Sequence, residues 1–262
     1  SFASTGAHSL TVVYAGDASN SPSTSAALSQ GVNTANSATT LSSSANPSAA
    51  GQSVTLNANV TGASPTGIVS FKDGTATLGT ATLSAGMATL DTSFGTAGAH
   101  SLTAVYAGDA ANSGSTSAGF SQSVSANATT ITLSSTVNPT AVGQNTTLSA
   151  AVAPATATGS VTFKEGTAVL GSATLNAGVA TLVTSFAGAG NHILSASYGG
   201  DAGNEPSTSA AGTQIVNAAS TSITLSATPN PSSEGASIVL TATIGGGAGP
   251  SGSVSFSDGA VV

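Results

Sequence analysis

Residues Gly98-Ala99-His100-Ser101-Leu102-Thr103-Ala104-Val105-Tyr106-Ala107-Gly108-Asp109 decide the fold. The pattern occurs three times. Other copies run from Gly6 to Asp17 and from Gly190 to Asp201, the last with Gly199 in place of the alanine. Tyr14, Tyr106 and Tyr198 stand 92 residues apart (106 − 14 and 198 − 106), and His8, His100 and His192 keep that step. Within the stretch His100, Leu102, Ala104 and Tyr106 fall on one side, and Ser101, Thr103 and Val105 on the other. That period of two marks a half-buried strand. Gly108-Asp109 then turns the chain.

A step of 92 exceeds the roughly 20–50 residues of solenoid and propeller repeats. It is the size of an autonomous small domain with its own core. The chain therefore divides into residues 1–35, the last third of a module; 36–127 and 128–219, two complete modules; and 220–262, the first half of a fourth. It opens at Ser1 inside a repeat, so we expect a piece of a longer protein whose leader or anchor lies elsewhere. The junctions around Ala35, Asn127 and Asn217 are short and polar, which suits end-to-end neighbours with limited freedom.

Working outward through 36–127, Ser53 to Val60 alternates, with Val54, Leu56, Ala58 and Val60 on one face. Ile68 to Lys72 follows as a strand with Val69 and Phe71 inward. Phe163 and Phe256 hold the same place in later copies. Asp73-Gly74 and Ala85-Gly86 read as hairpin turns, because glycine supplies positive φ. Gly79, between Leu78 and Leu83, reads as a bulge or a change of sheet. Asn46-Pro47 turns the chain, and Ser115 to Val124 returns as the last strand. No segment carries an apolar spacing of 3.6, so no helix is expected. Seven or so short strands per module predict an all-β fold of tandem immunoglobulin-like antiparallel β-sandwiches.

Composition removes several functions. Charged residues are 4% of the chain, with only Lys72 and Lys164 as cations and a net charge of −7. Binding to nucleic acid or to an anionic membrane surface needs cations that this chain lacks. Cysteine is absent, so disulfides and thiolate metal sites are impossible. No apolar run approaches the ~20 residues of a membrane helix.

The order Asn-Pro, Val-Thr-Leu, Phe-Lys-Asp-Gly, Ala-Thr-Leu and His-x-Leu-x-Ala-x-Tyr-x-Gly-Asp resembles the bacterial immunoglobulin-like repeat domains over the whole chain. The resemblance implies tandem modules of a secreted or cell-surface bacterial protein, hence an extracellular setting. It supplies no ligand or active site. Such repeats lack the core disulfide and tryptophan of immunoglobulins, and this chain has neither.

The candidate site residues are those that repeat. His8, His100 and His192 are expected to be structural, the ring packed and one nitrogen on a backbone carbonyl. Tyr14, Tyr106 and Tyr198 are expected to bury their rings with the hydroxyl on backbone. Asp17, Asp109 and Asp201, each followed three residues later by Asn20, Asn112 or Asn204, suggest an Asx-type turn. Their alternative is calcium at a module junction, which would need six to eight oxygens. No other cofactor is expected. Lys72 and Lys164 read as exposed hairpin tips. Nearly every ionisable group repeats with the module; only Asp91, Glu205 and Glu234 lack a counterpart, and they lie in different modules. Residues that repeat with the fold serve the fold, so no enzyme is expected. The leading expectation is a stalk or spacer presenting a distal adhesive or other domain, with neighbouring repeats as partners. The alternatives are modules that bind carbohydrate or a host surface protein, or a spacer within a secreted polysaccharide-degrading enzyme.

Overall fold

The computed structural model describes residues 2–259, which form two compact units meeting at Asn127 and Ala128. Every element among the described residues is a strand, as the alternation predicts. Each complete module is a sandwich of two sheets.

In residues 36–127 one sheet has Met87–Ser93, Ser53–Thr61 and Ala38–Ser43 side by side. The other runs Ser48–Ala49, Phe120–Ser125, Gly98–Tyr106, Ile68–Asp73, Ala76–Thr82, with Ser115–Thr116 beside the central strand. The quoted stretch is thus the middle of the larger sheet. It pairs antiparallel with Ile68–Asp73 in the register Ala104↔Phe71 and Tyr106↔Val69. Its inward residues Leu102, Ala104 and Tyr106 face Val54, Leu56, Ala58 and Val60 from the other sheet, all at most 2% exposed. Fully burying a Val, Leu or Phe side chain contributes about 1.5–3 kcal/mol, so these positions carry the module. Residues 128–219 repeat the topology with a separate core around Leu148, Val161, Phe163, Leu194 and Tyr198.

The turns follow the glycines. Ala85 and Gly86 both take positive φ, 51° and 78°, closing a tight hairpin between Ser84 and Met87. Gly79 stands opposite Phe71, and the register slips between Phe71 and Lys72, leaving Leu78 as the extra residue of a bulge. A Cβ at Gly79 would lie 3.0 Å from Leu90 Cδ1, so the glycine makes room for that side chain. The strand does not change sheets there.

Two details differ from the expectation. The chain crosses between the sheets at Asn46-Pro47, whose peptide bond is cis. The next residues, Ser48–Ala49, run parallel to the last strand. Asn46 spans that crossing, donating to Ser121 O at 2.8 Å and accepting from Ser123 N at 2.8 Å, so its amide stands in for a missing strand neighbour. The last strand is also not continuous. It breaks between Ser115–Thr116 and Phe120–Ser125 because the Ser117 hydroxyl takes the hydrogen bond of Ala104 N, at 3.0 Å.

In the first unit, the residues leading into 36–127 are docked. Ala35 N donates to Ala111 O and Ser113 N to Ala35 O, both at 2.8 Å. Thr5 Oγ1 donates to Ala110 O at 2.8 Å. Part of the junction is therefore held in strand-like register rather than left loose.

Candidate functional site

The repeating polar residues gather at two places on each complete module. The first is the turn after the central strand. Gly108 has φ +90°, and a Cβ there would meet Asn112 O and Gly114 N at 2.8 Å, so only glycine fits. Asp109 then receives donors on both oxygens. Oδ1 accepts from Ala111 N (2.8 Å), Asn112 N (2.7 Å) and Asn112 Nδ2 (2.9 Å). Oδ2 accepts from Thr66 N (2.8 Å) and Thr66 Oγ1 (3.0 Å). These donors, led by the Thr66 backbone, hold the carboxyl far below the usual carboxylate range. Asp201 repeats the arrangement with Thr158 N, Thr158 Oγ1, Gly203 N and Asn204 Nδ2, and its carboxyl is likewise depressed.

The Asx reading describes this geometry, with an extension that local sequence did not suggest. The carboxylate also ties the turn to a loop 43 residues away. The available signal was Thr66 and Thr158, 92 residues apart in loops that otherwise share only Ala63 and Ala155. Asn112 is 1% exposed and clamps the same loop, accepting from Ala63 N at 2.6 Å and donating to Ala63 O at 3.1 Å. A Cβ at Gly62 would collide with its Oδ1. In the second complete module Pro154 stands at that place, and Asn204 Oδ1 has no partner among the described residues.

Both carboxylate oxygens of the turn are engaged by donors, which bears on the calcium alternative. A hard cation needs oxygens with free lone pairs, and these oxygens face N–H and O–H donors. No group of three or more acids and histidines able to hold a metal occurs among the described residues.

Tyr106 and Tyr198 are 1% exposed, as a structural role requires. Their hydroxyls do not reach backbone; both are buried without a hydrogen bond among the described residues. Thr66 and Thr158 already occupy the nearby carboxylate oxygens. Burial first, then the neighbouring aspartate, pushes each phenol up. Tyr14 differs. It is 45% exposed and donates to Asp17 Oδ2 at 2.8 Å, the oxygen that threonine fills in the complete modules. Asp17 Oδ1 accepts from Ser19 N and Asn20 N. Phe71 and Phe163 are fully buried, while Phe256, in the half module, is 45% exposed.

The second place is the start of the central strand. His100 Nε2 lies 3.0 Å from Thr96 O, the expected backbone contact. Its Nδ1 lies 2.6 Å from Asp73 Oδ2, and Asp73 Oδ1 accepts from Ser101 N. The Phe94 ring packs on the imidazole at a centroid distance of 4.6 Å. Both acceptors need a proton from the ring, so the geometry suits the imidazolium. The Thr96 carbonyl and then Asp73 raise the His100 pKa. His192 has the same pair of acceptors, Glu165 Oε1 at 2.6 Å and Gly188 O at 3.0 Å, beneath Phe186. The carboxylate partner lies 27 residues upstream, at a position that sequence reading assigned only to a turn. His8 keeps the backbone contact, to Ser4 O at 2.9 Å. Lys72 and Lys164 sit beside the bulge and are half-buried rather than exposed.

The family model for the bacterial Ig-like domain (group 3) matches residues 41–125 and 131–217. Among solved structures, the fibronectin(III)-like modules of Clostridium thermocellum CbhA share 18% identity, covering 67% of this chain and 92% of theirs at a TM-score of 0.29. The titin domains z1z2 in complex with telethonin share 16% identity over 68% of this chain and 96% of theirs, with a TM-score of 0.32. The human OSCAR ligand-binding domain shares 15% over 66% of this chain and 96% of its own, with a TM-score of 0.27. A search of curated proteins finds no match.

Proposed function

The chain belongs to the bacterial Ig-like domain (group 3) family, and from that footing we propose that its repeats are a spacer. They hold another domain at a distance within a secreted or cell-surface protein. One observation carries the reading: in both complete modules the recurring aspartate of the turn and the recurring histidine are engaged inside their own module. The aspartate, threonine and asparagine of the turn bond each other, and the histidine bonds a carboxylate and a carbonyl. Neither the aspartate nor the histidine is left over as nucleophile, base or cation ligand, so we assign the repeats neither a catalytic step nor a calcium ion. The strand-like docking of Ala35 supports a stiffened join within the first unit.

Single-molecule stretching of the full chain tests this. A spacer gives separate unfolding peaks of similar contour length, one for each complete module. A single early collapse without resolved peaks contradicts it. Specific, saturable binding of the chain on a glycan array would move the function to the modules themselves. A melting midpoint raised by calcium over chelator would return the ion.

A further inference from the structure

The two complete modules differ at several core positions, among them Val54 and Thr146, and Thr39 and Ile131; one further difference concerns Phe120. Phe120, like Leu41, packs partly buried against the core of the first. Its counterpart in the second, 92 residues on, is Gly212. Both follow the same register, Leu102↔Phe120 and Leu194↔Gly212, so the backbone is in the same place. Where the phenyl ring sits in one module, the other has a partly open cleft of about 140 Å³. Leu133, Leu148 and Leu194 form its apolar side, and polar residues, Ser135, Thr213 and Gln214 among them, form the rest. Nothing crowds the glycine: a Cβ on Gly212 would come no closer than 3.9 Å, to Leu133 Cδ2.

We propose that this cleft binds one benzene-sized aromatic ring, free or carried on an aromatic side chain. The first module is the template, since the same fold there seats a partly buried phenyl group at the same spot. The size agrees: an apolar cavity of about 150 Å³ takes up benzene. Leucines on one side and polar groups on the other give a ring a surface to pack on and groups that orient it. A ring with a hydroxyl, such as phenol, also finds oxygen partners on Ser135 and Thr213. This site is independent of the spacer reading.

Two-dimensional amide NMR of the full chain, titrated with phenol in one arm and with N-acetylphenylalanine amide in the other, tests the proposal. Saturable shifts are expected at Leu133, Leu148, Leu194 and Gly212, with a Kd for phenol on the order of 1 mM, as a ligand of about seven non-hydrogen atoms allows. The arm that saturates first identifies the source of the ring. Gly212→Phe, which copies the sister module, should remove the shifts and keep the dispersed spectrum of a folded chain. Phe120→Gly should create a second set at Leu41, Leu56 and Leu102. Unchanged spectra at about 20 mM of both ligands, or shifts that survive in Gly212→Phe, would overturn it.

Discussion

Asp109 and His100 set the chemistry at the residue scale. Asp109 joins two loops through a fully occupied carboxylate. Asn at this position keeps one oxygen but presents an NH2 group to donors. We expect Asp109→Asn to lower the melting midpoint of its module by several degrees, read by calorimetry. The pH dependence has a definite sign. A depressed carboxyl contributes stability above its unfolded value, near ~3.9, and loses it as pH falls through the folded value. Because that folded value lies far lower, this turn should stay intact in mild acid. His100 runs the other way. Its folded pKa is raised above 6.5, so its contribution is complete below about 6.5 and fades as pH rises through the folded value. The groups facing it are Asp73, the Thr96 carbonyl and the Phe94 ring. The midpoint of the wild-type module should fall relative to His100→Gln between acid and mildly alkaline buffer. Parallel curves for the two proteins would end this account. Sequence announced both residues by their recurrence. Their partners Thr66 and Asp73 lie 43 and 27 residues away. Pairing across a sandwich depends on which strands become neighbours, and local alternation carries no such information.

At the scale of elements, strands and hairpins were legible because burial and turn chemistry are local. Val54 to Val60 alternates in sequence and in burial alike. The turn at Ala85-Gly86 was legible from its glycine, yet it holds a cost that sequence hid. Ala85 is an exposed non-glycine residue at φ 51°, as Ala177 is at 48°. The left-handed region disfavours alanine, whereas asparagine tolerates it and suits the first place of this hairpin turn. Ala85→Asn should stabilise the module by about 0.5–1 kcal/mol, measured by urea denaturation. No gain would mean that the turn relaxes to another type. The parallel pairing of Ser48–Ala49 and the break at Ser117 were not legible. Each depends on one side chain replacing a backbone partner across the sheet, and serine is too common here to stand out.

For the whole molecule, the period gave the architecture directly. Equivalent tyrosines occupy equivalent surroundings in the two complete modules, and each module has its own core. Damage should therefore stay local. Gly108→Ala forces a Cβ against Asn112 O and Gly114 N at a positive φ. That should cost at least about 2 kcal/mol. Calorimetry of the full chain should show one transition shifted down and the other unmoved. If both fall together, the modules are not self-sufficient.

Ala35 adds a rule about length. Its amide and carbonyl are both spoken for by residues 111 and 113 of the module that it enters. One residue added or removed there would displace Ala35 from its place between residues 111 and 113 and break both bonds. An array joined in this manner grows or shrinks cleanly only in whole units. Its reach is a staircase with steps of one module, and variants of intermediate span are the ones that selection should discard.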